Sequence, residues 1–144
     1  MRVLIIHGPN LNLLGERPSQ FYGSLTLAEI NEKLHNLARE KEISLDIFQK
    51  QGEGEIVQIL HDYRKLVDGV IINPAAYTHS SIAIRDAIEA IALPCVEVHL
   101  SDIYRREDFR RKSFIKDVCL KQFVGEGVNS YLNALDYIWT NLSN

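Results

Sequence analysis

Cysteine is scarce in this sequence. Cys95 and Cys119 stand apart in apolar surroundings and form no CxxC pair. They read as two buried thiols of a reducing compartment, not as a disulfide framework or a redox pair. An excess of charge is missing too. The net charge is −3, which argues against a general nucleic-acid binder. The longest apolar runs fall far short of a membrane span. Met1-Arg2-Val3 leads straight into an apolar run with no small-residue cleavage site behind it. A cytoplasmic protein without a signal peptide is expected. There is no HExxH, no Cys/His cluster and no dense carboxylate group, so no metal site is expected. GxxxxGK[ST], GxGxxG and GxSxG are all missing. From Lys33 to Lys121 the lysines sit among polar or charged neighbours, so none reads as a desolvated Schiff-base lysine.

What is present is an ordinary globular balance over 144 residues, 46% hydrophobic and 24% charged. That is enough for one domain with a full core, taken as residues 1–144. Val3-Leu4-Ile5-Ile6 reads as a buried strand. Thr26 and Glu29 fit a capping box, and Leu27, Ile30, Leu34 and Leu37 follow at helical spacing to about Glu40. Ile43, Leu45 and Ile47 alternate as a second strand, and Gln49 to Glu55 is a loop. Ile56, Ile59, Leu60 and Tyr63 mark a helix. Val70-Ile71-Ile72 is a third strand, stopped by Asn73-Pro74. Thr78 or Ser80 caps a helix carrying Ile82, Ile84, Ile88 and Ile91. Cys95 to Leu100 is a fourth strand, and a short charged helix spans about Arg105 to Arg111. Val118 to Val124 is a fifth strand, and Gly125-Glu126-Gly127 opens the last helix. Strands and helices alternate, so the expected fold is α/β. It is a flavodoxin-like three-layer sandwich with a five-stranded parallel sheet in the order 2-1-3-4-5.

Ligands of such sheets bind outside the carboxyl ends of the strands. The residues there are distinctive. The long segment from His7 to Gly23 carries Asn10, Arg17 and Tyr22 among Leu11, Leu13, Leu14 and Phe21, a pattern that suits a lid. Strand three delivers Asn73, Tyr77 and His79. Strand four delivers Glu97, His99 and Ser101, with Arg106 and Arg110 beyond. His7, His79 and His99 thus fall on one rim, while His35 and His61 lie in helices, at the surface.

Glu97 and His99 are two apart on a strand and share a face. A carboxylate beside an imidazole fixes its tautomer and raises its basicity, which suits a general acid. A buried structural pair is the alternative. His79 also reads as a polar helix start, Asn73-Pro74 as a turn, and Arg106 with Arg110 as surface ion-pairing residues. Tyr22 with Arg17 is the most informative pair. A free phenol has a pKa of ~10 and is a poor base at neutral pH. A guanidinium at ~4 Å offers roughly 4 kcal/mol toward the phenolate at an effective dielectric near 20. The alternative is an amphipathic tyrosine docking an ordinary loop.

Three segments together resemble the type II dehydroquinases (3-dehydroquinate dehydratases). They are GPNLNLLGERPSQFYG at 8–23, INPAAYTHSSIAIRDA at 72–87 and VEVHLSDIYRREDFRRKSF at 96–114. The resemblance implies a lyase of the shikimate pathway that removes water from 3-dehydroquinate by anti elimination through an enolate. By that likeness Tyr22 is the base, kept ionised by Arg17, and Asn10 holds the water at the enolate oxygen. His99, oriented by Glu97, protonates the leaving hydroxyl. Ser101 and the backbone N–H of Leu100 bind the substrate carboxylate. Asn73, His79 and Arg110 hold the ring hydroxyls, and Arg106 adds positive charge near the tyrosine. Asp86 reaches a neighbouring subunit's site. The likeness further implies trimers assembled into a dodecamer, with neither metal nor organic cofactor. Lys121, Gln122 and Glu126 depart from the more apolar, glycine-rich last strand expected of the family. Two other classes compete with the lyase: a flavodoxin-like module binding a small ligand or nucleotide, and an assembly protein that has kept the fold but lost the reaction.

Overall fold

Residues 1–143 are described by a computed structural model. The apolar runs form β1 (Arg2–His7), β2 (Ser44–Gln49), β3 (Gly69–Asn73), β4 (Cys95–Val98) and β5 (Lys121–Phe123). All neighbours pair in parallel, in the order β2-β1-β3-β4-β5. The helices are α1 (Ser19–Tyr22), α2 (Leu27–Glu40), α3 (Glu53–Tyr63), α4 (Ile82–Ile91) and α5 (Val128–Leu142). The sheet is covered on both sides, the flavodoxin-like arrangement.

Alternation along the strands sorts the core. Val3, Ile5, Ile71, Val96 and Val98 pack with α2 and α5. Leu4, Ile6, Val70, Ile72 and Cys95 pack with α3 and α4. Strands covered on both faces are apolar at every position, which is why β1 and β3 lack a polar alternation. The register pairs His7 with Asn73 and Ile72 with Glu97, so His7 and Asn73 end their strands at one level and Glu97 lies one residue before it. Gly8 makes this possible. Its N–H donates to the Asn73 carbonyl at 2.8 Å. A Cβ at Gly8 would lie 2.6 Å from the Pro74 carbonyl carbon, so no side chain fits there.

Several boundaries differ from the sequence expectation. The Thr26 and Glu29 capping box forms as expected, but α4 is capped by Ser81, whose Oγ accepts from the Ile84 N–H at 2.9 Å. Thr78 and Ser80 lie before it, because Ala75–His79 is a 3-10 turn. That turn starts where Pro74 fixes the chain and the Asn73 Oδ1 accepts from the Ala75 N–H at 3.1 Å. Residue 53 already belongs to α3, which enters the expected loop. Strand β4 ends at Val98 instead of Leu100.

The expected helix at 105–111 is replaced by two 3-10 turns, Ile103–Arg105 and Asp108–Arg110. Its arginines find carboxylates at i,i+3. Arg105 pairs with Asp102 at 3.6 Å, Arg110 with Glu107 at 2.8 Å and Arg111 with Asp108 at 2.9 Å. Residues three apart eclipse in a 3-10 turn, so this spacing favours the tighter helix. The fifth strand is only Lys121–Phe123, because Lys116–Val118 forms another 3-10 turn. Gln122 Oε1 there accepts from the Tyr104 hydroxyl at 2.6 Å, and Glu126 Oε2 accepts from Asn133 Nδ2 at 3.0 Å. Both thiols are free, but only Cys95 is buried; Cys119 is half-buried beside it. The Cys119 neighbour and burial together hold the Cys95 thiol well above its ordinary pKa.

Candidate active site

A cavity of about 120 Å³ opens at the carboxyl ends of β1, β3 and β4. Its walls include Asn10, Arg17, Tyr22, Asn73, His79, His99, Leu100, Ser101, Arg106 and Arg110. The segment between β1 and α2 forms one wall. It docks through Leu11 and Leu14, which are buried, while Leu13 stays exposed. Asn10 takes a left-handed conformation at φ 69°, a region that asparagine tolerates, and its N–H donates to Gln51 Oε1 at 2.9 Å.

On that wall Tyr22 is held by two cations. The Arg17 guanidinium stacks 3.7 Å from the centre of the phenol ring. The hydrogen bond to the phenol oxygen, however, comes from Arg106, whose Nη1 donates at 3.0 Å. On sequence grounds Arg17 is expected to lead and Arg106 to support. The geometry instead puts Arg106 on the oxygen and Arg17 on the ring face. Arg106 reaches it from the segment after β4, and its side chain is only 10% exposed. Its Nε has no hydrogen-bond partner among the described residues. Arg110 Nε lies 2.8 Å from Glu107 Oε2, but it is not aligned to donate there. Both guanidiniums therefore keep donor capacity beside the cavity.

The same cavity is lined by two imidazoles, His79 and His99. Glu97 is fully buried and His99 nearly so. Glu97 Oε2 accepts from His99 Nε2 at 2.5 Å, which leaves the His99 Nδ1 edge free of that bond. Ser113 donates its hydroxyl to Glu97, with Oγ 2.8 Å from Oε2 and 3.0 Å from Oε1. A buried carboxylate needs such partners. Ser113 lies within the matching segment 96–114, but no spacing in the sequence points to this role. His79 Nδ1 donates to the Lys112 carbonyl at 2.7 Å. Burial pushes the His79 pKa below its ordinary value, opposed by that hydrogen bond.

Two expected site residues lie outside the cavity wall. Glu97 stands behind His99, as an orienting group would. Asp86 is exposed on α4, beside Lys112 and Asp117 rather than the cavity. His7, expected on the rim, is instead fully buried beneath it. Its side chain falls on the α2 and α5 face of β1. Nδ1 meets the Tyr131 hydroxyl at 2.9 Å, and Nε2 meets Asn31 Oδ1 at 2.8 Å. Burial lowers its pKa to about 4. No group of three or more His, Cys, Asp or Glu able to hold a metal ion occurs among the described residues.

The family described as dehydroquinase class II matches residues 1–139. The chain belongs to this family. Among its relatives, the 3-dehydroquinate dehydratase of Geotalea daltonii is 51% identical over 142 residues, covering 99% of each chain. That of Halothermothrix orenii is 50% identical, covering 95% of this chain and 93% of its own. The crystal structure of the type II dehydroquinase from Butyrivibrio crossotus superposes with a TM-score of 0.94 at 37% identity, over 96% of this chain and 97% of that one. The type II dehydroquinase from Propionibacterium acnes gives a TM-score of 0.92 at 34% identity, over 96% of both. Fold and family thus agree over nearly the whole length of this dehydroquinase chain.

Proposed function

We propose that this chain is a type II 3-dehydroquinate dehydratase, a hydro-lyase of the shikimate pathway. It converts 3-dehydroquinate to 3-dehydroshikimate by anti elimination. The observation that carries this reading is one cavity lined by both a cation-held phenol and a carboxylate-backed imidazole.

Tyr22 as phenolate takes the proton from C2, and the electron pair passes into the adjacent carbonyl to give the enolate. Arg106 Nη1 donates to the phenol oxygen and the Arg17 guanidinium lies over the ring, so two positive groups stand beside the base. Asn10 holds the water that donates to the enolate oxygen. As the enolate collapses, the C1–O bond breaks and the leaving hydroxyl takes a proton from His99 Nδ1. Glu97 keeps its bond at Nε2 and offsets the imidazolium charge, and Ser113 fixes Glu97. Base and acid line the same cavity, as one elimination requires. The proton gained by Tyr22 balances the one lost by His99, and solvent exchange resets both.

Leu100 and Ser101 meet the substrate carboxylate, and Asn73, His79 and Arg110 meet the ring hydroxyls. Residues 1–144 act as one dehydroquinase domain, and its two free thiols support a cytoplasmic setting. Trimers assembled into a dodecamer fit the exposed Asp86, which would reach a neighbouring site, and the exposed Ile82, Phe109 and Leu120. Biosynthesis of aromatic precursors and quinate breakdown would use the same chemistry.

An ultraviolet assay for the conjugated product tests the reading. Turnover is expected with or without chelator and after borohydride treatment. Tyr22→Phe is expected to lose nearly all activity. Full activity in that variant would remove the proposed base.

A further inference from the structure

Below the cavity floor, four polar side chains from four elements form one unbranched chain of hydrogen bonds. Asn73 Oδ1 accepts from the Ala75 N–H at 3.1 Å, and Asn73 Nδ2 donates to the Tyr131 oxygen at 3.0 Å. The Tyr131 hydroxyl and His7 Nδ1 are 2.9 Å apart, and His7 Nε2 and Asn31 Oδ1 are 2.8 Å apart. His7 and Tyr131 are fully buried, and Asn73 is 3% exposed.

The directions of these bonds follow from the donor inventory. Asn31 Oδ1 only accepts, so the His7 hydrogen sits on Nε2. Nδ1 is then an acceptor, and Tyr131 must donate its hydroxyl hydrogen to it. That leaves the Tyr131 oxygen free to accept from Asn73. Every member has one consistent role, and reversing any link leaves a buried group unpaired, at a cost of about 1–3 kcal/mol. Burial also keeps both titrating members neutral. It lowers the His7 pKa to about 4 and raises that of the Tyr131 phenol above its ordinary value. Tyr131 is therefore not a second base.

We infer that His7 and Tyr131 are positioning residues: acting through Asn73, they fix which edge of its amide the substrate meets. Asn73 has two N–H donors and two oxygen lone pairs. One donor goes to Tyr131 and one lone pair to Ala75, so one donor and one acceptor remain for a ring hydroxyl. A hydroxyl both donates and accepts, so that pair matches it. Ala75 adds to the constraint, because it is held at φ 53°, where a non-glycine residue is strained. This inference rests on the dehydratase reading for the identity of the hydroxyl, but the hydrogen-bond directions do not.

Tyr131→Phe keeps the packed ring and removes the acceptor. It is expected to raise KM for 3-dehydroquinate about tenfold, the equivalent of one hydrogen bond, with kcat within about twofold. In an Asn73→Ala background the same change is expected to move KM by less than about twofold. A purely structural tyrosine would raise KM equally in both backgrounds or not at all, and either result overturns the inference. A second measurement needs no variant. Nitrogen-resolved NMR of the His7 ring in the wild-type protein is expected to show the neutral form with its hydrogen on Nε2 at pH 7. A hydrogen on Nδ1, or an imidazolium, overturns the chain of directions. Should the wild-type protein leave 3-dehydroquinate unchanged, the dehydratase reading fails, and the His7 spectrum still decides the positioning chain.

Discussion

His7 illustrates what a single position can and cannot reveal. It ends β1 at the level of the cavity, as Asn73 ends β3. Strand parity decides the rest. His7 points to the face that α2 and α5 cover, so it becomes a buried, neutral imidazole instead of a rim group. Periodicity cannot say which face a neighbouring helix will cover at a strand's last residue. Tyr22 and His99 instead line the cavity. Burial of His7 has a consequence for stability. In the unfolded chain a histidine takes up a proton near pH 6.5, but folded His7 does so only near 4. Between these values the unfolded state binds the extra proton, so stability rises with pH and falls on acidification. The loss from pH 7 to pH 4 is expected to reach about 3 kcal/mol from this residue alone. Urea unfolding at a series of pH values checks it. An equally steep slope in His7→Gln protein would assign the loss to other groups.

Among the elements, the helices and inner strands were legible and the link from β4 to β5 was not. β1 and β3 are continuous apolar runs bounded by breakers and α2 carries a helical period over fourteen residues, which local physics reads well. Residues 99–120 instead break into three short 3-10 turns, set by i,i+3 ion pairs and by side chains capping the backbone. Ser113 is the clearest of these caps. Its Oγ accepts from the Ile115 N–H at 3.3 Å and the Lys116 N–H at 3.1 Å while donating to Glu97. One hydroxyl thus ties a turn to the buried carboxylate that holds His99. Ser113→Ala removes the partner of a buried charge, an interaction of about 1.5–3 kcal/mol. The expected outcome is a fall in kcat of at least about tenfold with KM changed less than twofold. Steady-state kinetics with the ultraviolet assay decides. Unchanged kcat would mean that His99 alone holds Glu97 in place.

At the scale of the whole molecule, sheet order was legible because alternating strands and helices admit few right-handed solutions. Assembly was not, because an exposed apolar side chain looks alike in a monomer and at an interface. Phe109 is 67% exposed and Leu120 57%, and Asp86 stands clear of its own cavity. Sedimentation velocity is expected to find trimers or multiples of three, and a monomer at micromolar concentration would rule out the shared site. Asp86→Ala should then lose activity without losing mass. The contact of Gly8 with Pro74 adds a constraint that reaches beyond either residue. The segments bearing the phenol and the amide leave the sheet from a single pinch point, so neither wall can be widened there without shifting the other. Breeding this enzyme toward a bulkier ring would have to begin at the far rim, around Ser101 and Arg110, and leave that pinch alone.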